Sequence, residues 1–212
     1  MPVLATAVVG ACAPLGRDIR PGLGPVGWTQ ARANYGSDPA QSVYIRRPEG
    51  LDQPLATVFI LSSATPSKAD EILAAQIADA GMVAMVVGRR PSPVAAFPAY
   101  ISDSAKAMAW CVERAGQVGV ASDQMGLLGL SSGGLHAQML AADGRYLEAV
   151  GQVGRVKAVA VVGPDALPDA TFTHPTAYAP SSRAPRLWRG EEFEISGAIH
   201  HLKQNLNATR ST

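Results

Sequence analysis

The sequence predicts an α/β fold, a mostly parallel sheet with helices on both faces. Three observations predict it. Predominantly apolar runs with β-branched residues recur at 55–61 ("LATVFIL"), 82–87 ("MVAMVV") and 156–162 ("VKAVAVV"), as in strands buried on both faces. Segments of helical period separate them. A glycine-flanked serine pair, "GLLGLSSGGLHAQML" at 126–140, stands where one more strand turns into a helix. Strand–helix–strand alternation implies right-handed crossovers and parallel pairing.

Bulk properties fit one globular domain. The chain has 212 residues, 47% hydrophobic and 17% charged, with net charge +1. Such balance gives no electrostatic signature for nucleic acid. No apolar run reaches the ~20 residues that span a bilayer.

Residues 1–12 form a short apolar lead. Val9-Gly10-Ala11-Cys12 looks like the lipobox that ends a bacterial lipoprotein signal. On that resemblance Cys12 carries lipid, and the protein is anchored to the membrane on the periplasmic side of the cell envelope. The lead departs from such signals in having no Lys or Arg before Arg17. The other reading is a first strand or a tail, with a cytoplasmic protein. Residues 13–34, rich in Pro and Gly, read as a tether, and 35–212 as the folded domain.

Within that domain "SVYIRRP" (42–48) has strand character. Ser67 and Asp70 resemble a capping box opening a helix, with Ala69, Leu73, Ile77 and Ala80 in line and Gly81 as its stop. "PSPVAAFP" reads as a loop. Ile101, Ala105, Met108 and Val112 align on the next helix, where Cys111 is a small buried hydrophobe. "MGLLG" (125–129) is a strand, and Gly133 to Ala142 a helix.

The serine turn reads G-x-S-x-G, from Gly129 to Gly133, with Gly134 after it. Serine on a sharp strand-to-helix turn is held out from the backbone, and the glycines relieve crowding. The turn lies at the carboxyl end of a central strand, where open α/β sheets place ligands. There is no H-E-x-x-H, no paired C-x-x-C and no Walker loop, so no metal or cofactor is implied.

Several segments resemble the α/β-hydrolases of the esterase/lipase type, close to carboxylesterases. They are "NYGSDPAQSVYIRRP", "ISDSAKAMAWCVERAGQVGVASDQMGLLGLSSGG" and "VKAVAVVGPD", and together they cover roughly 34–170. The resemblance implies that Ser131 is the nucleophile toward a small ester. The backbone N–H of Ser132 is then one oxyanion donor. The family's second donor comes from a His-Gly-Gly-rich loop; here that loop is Leu61-Ser62-Ser63-Ala64-Thr65-Pro66, and Ser63 or Ala64 takes the part.

The acid and the base depart from the family. "APRLWRGEEFEISGAIHHLKQNL" resembles the strand and helix that carry the acid, but Phe193 stands in its place between Glu192 and Glu194. Asp165 and Asp169 are the other acids to consider. The histidine belongs after a further strand, and no strand pattern follows Leu206. The four histidines are His136, read as a helix-face residue, His174, His200 and His201. The expectation is therefore an α/β-hydrolase fold incomplete at its C-terminal end, with an open sheet edge and low ester turnover. The rival reading is an impaired or inactive lipoprotein that uses the same cleft to bind a small molecule or partner.

Overall fold

The computed structural model describes residues 27–162, the backbone of the strand at 186–190, and Ile199, Leu202 and Leu206. The elements run β1 (Trp28–Asn34), β2 (Ser42–Pro48), β3 (Leu55–Leu61), α1 (Lys68–Asp79), β4 (Val83–Val87), α2 (Ala99–Glu113), α3 (Ala115–Val118), β5 (Val120–Leu130), α4 (Gly133–Ala142), α5 (Gly144–Glu148), β6 (Val156–Val162) and β7 (Arg186–Gly190). Among the described residues one seven-stranded sheet has the order β1-β2-β4-β3-β5-β6-β7. The β1–β2 and β2–β4 pairs are antiparallel; the pairs from β4 through β7 are parallel.

The apolar runs become the sheet's centre because they satisfy two faces at once. All seven residues of β3 are buried. Phe59 and Leu61 join Leu127, Ile101, Met108 and Leu140 on one face, whereas Val58 and Ile60 join Leu128, Leu73, Ile77, Leu202 and Leu206 on the other. Period-two alternation thus sorts one apolar strand between two cores. No helix among the described residues is long and apolar enough to cross a membrane.

The Ser67 capping box forms, with Asp70 as its partner. The buried face of α1 is Leu73, Ala74, Ile77 and Ala78, with Ala69 exposed. Cys111 is buried and free, and burial pushes its thiol pKa up to about 12. Strand β5 begins at Val120, five residues before the apolar "MGLLG": Val120 pairs with Leu55, and the polar residues between fall in the register shift before Met125 pairs with Thr57.

One boundary is corrected. Residues 28–34, expected to belong to the tether, form β1, paired with β2 from Trp28↔Pro48 to Asn34↔Ser42. The segment "WTQARAN" carries little apolar signal because none of its residues is fully buried. Contacts from outside the segment hold it. Trp28 Nε1 donates to Asp79 Oδ1 at 3.2 Å, the Arg46 guanidinium lies 4.4 Å from the Trp28 ring centre, and Arg32 pairs with Glu71.

A polar cluster fixes the segment after β4. Asp103 of α2 is fully buried. It accepts from Gln41 Nε2 at 2.7 Å and from Arg90 Nε and Nη2 at 2.9 and 2.8 Å. Burial works against its charge, but the hydrogen bonds from Arg90 and Gln41 outweigh it and hold the carboxyl below its ordinary range. Tyr35 Oη donates to Gly88 O at 2.7 Å. Residues 88–90 are therefore clamped from β2's lead-in and from α2 together.

Candidate active site

A row of paired residues crosses the sheet near its carboxyl edge. Ile60 pairs with Val86, Leu61 with Gly129, and Gly129 with Val161. Two residues past Gly129 is Ser131, and two past Leu61 is Ser63. Val87 follows Val86, and two residues beyond it stands Arg89. Parallel strands end together, so three loops bring Ser63, Arg89 and Ser131 to one edge. That edge is where α/β sheets bind ligands.

Ser131 has φ +49°, the one non-glycine residue at positive φ among those described. This is the strained left-handed conformation that points to a functional turn. Ser131 N–H donates to Val162 O at 3.0 Å, tying the turn to β6, and Ser131 O accepts from Gly134 N at 2.9 Å as α4 begins. Ser131 and Ser132 are exposed, while Gly133 and Gly134 are buried.

The glycines are required by close approach. A Cβ on Gly129 would lie 2.6 Å from Gly134 Cα and 2.8 Å from Gly133 O. A Cβ on Gly133 would lie 1.9 Å from Leu61 O and 2.8 Å from Ser62 N. The start of α4 thus sits directly against the strand before it and the loop that follows β3. Sequence reasoning read these glycines as relief for the turn; the packing partner of Gly133 comes from a different strand and shows only in the fold.

The backbone N–H groups of Ser132, Ser63 and Ala64 have no acceptor among the described residues. Ser132 N–H opens α4, whose N-terminus favours negative charge. Ser63 is exposed, and its hydroxyl donates to Thr65 O at 2.7 Å. Donors without acceptors on two adjoining loops can serve an oxyanion that arrives with substrate.

His136 is 5% exposed and packs its ring 4.6 Å from that of Tyr100. Burial, with the Arg89 cation adding to it, lowers its pKa to about 3. An imidazole whose conjugate acid is so strong is a poor proton acceptor for serine, and His136 acts as a neutral core residue. The folded chain keeps it neutral, whereas the unfolded chain protonates it below about pH 6.5. Stability from this group is present above pH 6.5 and lost as pH falls toward 3, by at most ~1.4 kcal/mol per pH unit. His136→Phe is expected to flatten this dependence. Urea midpoints at pH 7 and pH 5 check it, and equal drops for both proteins count against it.

Arg89 was not singled out from the sequence. It is 8% exposed at the end of β4. Its Nη2 donates to Ser62 O at 3.1 Å, its own N–H donates to Ala64 O at 2.8 Å, and its guanidinium lies 5.6 Å from the Tyr100 ring centre. A buried cation after an apolar strand was the available signal. The other residues weighed from sequence, Cys12, Asp165, Asp169, His174, Glu192, Phe193, Glu194, His200 and His201, lie outside the described residues.

Residues 61–163 match the family model BD-FAE. Among solved structures, the chain is similar to esterase B from Lactobacillus rhamnosis, at 21% identity and TM-score 0.55, over 65% of this chain and 48% of that one. It is similar to MGS-M1, an α/β hydrolase enzyme from a Medee basin deep-sea metagenome library, at 14% identity and TM-score 0.63, over 85% and 78%. An esterase from Rhizomucor miehei matches at 22% identity and TM-score 0.53, over 65% and 44%. The chain spans about half the length of the two esterases. No curated protein sequence matches it.

Proposed function

We propose that this chain, which has the α/β-hydrolase fold, is a serine hydrolase that cleaves a carboxylic ester through an acyl-enzyme on Ser131. The observation that carries the reading is the turn itself. Ser131 holds φ +49° between a central strand and α4, exposed, beside N–H groups that lack acceptors among the described residues. The names of the similar solved proteins, esterases among them, support the substrate class.

In this mechanism Ser131 Oγ attacks the ester carbonyl and its proton passes to a base. The carbonyl oxygen becomes an oxyanion, held by Ser132 N–H at the start of α4 and by a donor from the Ser62–Ala64 loop. Collapse expels the alcohol, which takes the proton back, and leaves the acyl group on Ser131. Water then attacks the acyl-enzyme and releases the acid. His136 is unsuited as base, and the other histidines weighed from the sequence, His174, His200 and His201, lie outside the described residues.

Labelling with a fluorophosphonate, followed by peptide mass spectrometry, tests the assignment. One phosphonyl adduct is expected, on Ser131. An adduct elsewhere rejects Ser131, and no adduct favours a cleft that binds without reacting.

A further inference from the structure

We infer that Arg89 is a positioning residue that aims the backbone N–H of Ser63 as the second oxyanion donor, in place of a glycine-rich loop. The inference deepens the esterase reading and rests on it. Its starting point is the planar trans peptide. The carbonyl of Ser62 and the N–H of Ser63 belong to one rigid unit and point in opposite directions. Arg89 Nη2 holds the Ser62 carbonyl at 3.1 Å, so the direction of Ser63 N–H is set by Arg89. That N–H has no acceptor among the described residues.

A second bond fixes the far side of the same residue pair. The N–H of Arg89 donates to Ala64 O at 2.8 Å, so both flanks of the Ser63–Ala64 unit are held by one residue. Arg89 itself has little freedom. Gly88 accepts from Tyr35, Arg90 is forked on buried Asp103, and the Arg89 guanidinium lies over Tyr100. A cation on the Ser62 carbonyl also polarises the peptide and strengthens Ser63 N–H as a donor. Among the described residues Arg89 forms no ion pair with a carboxylate.

The register supplies the relation to chemistry. Ser63 and Ser131 each stand two residues beyond the Leu61–Gly129 pair, and the start of α4 touches Leu61 O and Ser62 N through Gly133. A loop without glycine resists the turns that glycine-rich loops adopt unaided; here an outside side chain holds it.

The test uses Arg89→Met and Arg89→Lys, the latter keeping a buried cation and a donor should the former fail to fold. Two readouts are taken, amide hydrogen exchange at residue 89, whose N–H is held by Ala64 O, and ester hydrolysis resolved into kcat and KM. Arg89→Met is expected to speed exchange of the residue-89 amide, which is bonded to Ala64 O, and to lower kcat about 100-fold, the scale of one oxyanion donor, with KM within about threefold. Arg89→Lys is expected to recover part of kcat. Unchanged exchange overturns the clamp. Faster exchange with unchanged kcat, or a change confined to KM, overturns the oxyanion role. If the wild-type chain neither hydrolyses esters nor takes a phosphonate, the esterase reading fails and the catalytic part of this inference with it, while exchange still reports on the clamp.

Discussion

Replacing Ser131 with alanine is expected to lower ester turnover by a factor on the order of 10⁴ to 10⁶, the scale seen when a serine nucleophile is removed. The measurement is hydrolysis of a short p-nitrophenyl ester; a loss under about tenfold would remove Ser131 from the mechanism. The same residue makes a second prediction of opposite sign. Its φ of +49° strains any side chain with a Cβ, and alanine keeps that strain. Glycine relieves it, against a smaller loss from a more flexible unfolded chain. Ser131→Gly is therefore expected to be as inactive as Ser131→Ala yet to melt about 2–4 °C above it, the shift for ~1 kcal/mol in a chain of this size. Equal melting temperatures would mean that the turn is not strained.

Gly133→Ala has the largest expected effect on the fold. Its new methyl would meet Leu61 O at 1.9 Å and Ser62 N at 2.8 Å. Both are backbone atoms of a central strand and its loop, so no side chain can swing aside, and α4 must move instead. Overpacking of this kind costs about 3 kcal/mol, which lowers Tm by roughly 6–12 °C. A shift of α4 by an ångström also displaces Ser132 N–H from the oxyanion, and such misplacement costs about 100-fold in turnover. Gly144→Ala is the control. Nothing lies within 4 Å of its would-be Cβ, and Gly144 is exposed at the start of α5, so stability and turnover should hold within about 0.5 kcal/mol. Matching losses in the two variants would show that crowding against β3 is not what Gly133 avoids.

The sheet's centre was legible because its signal is local. Leu55 to Leu61, Val156 to Val162 and Gly133 to Ala142 begin and end in the fold where their patterns begin and end. Apolar runs and glycine stops act within a few residues of themselves. The Ser67 capping box is local in the same way. Strand β1 was not legible, because "WTQARAN" is a strand only by virtue of β2 beside it. The short α3 and α5, of four and five residues, are too brief to show a helical period.

The site divides along the same line. By itself, the sequence determined that a serine flanked by glycines turns a strand into a helix, because strand, turn and helix lie within about fifteen consecutive residues. It also determined that the loop after β3 lacks glycine. Only the tertiary structure decided that Gly133 abuts Leu61, that His136 is a neutral core residue against Tyr100, and that Arg89 holds the loop's carbonyls. Each is a contact between segments 25 to 72 residues apart, made close by a parallel sheet that brings the ends of β3, β4 and β5 to one edge. Burial then sets the chemistry, because a pKa and a donor's direction depend on what surrounds the group in space and not on its neighbours along the chain.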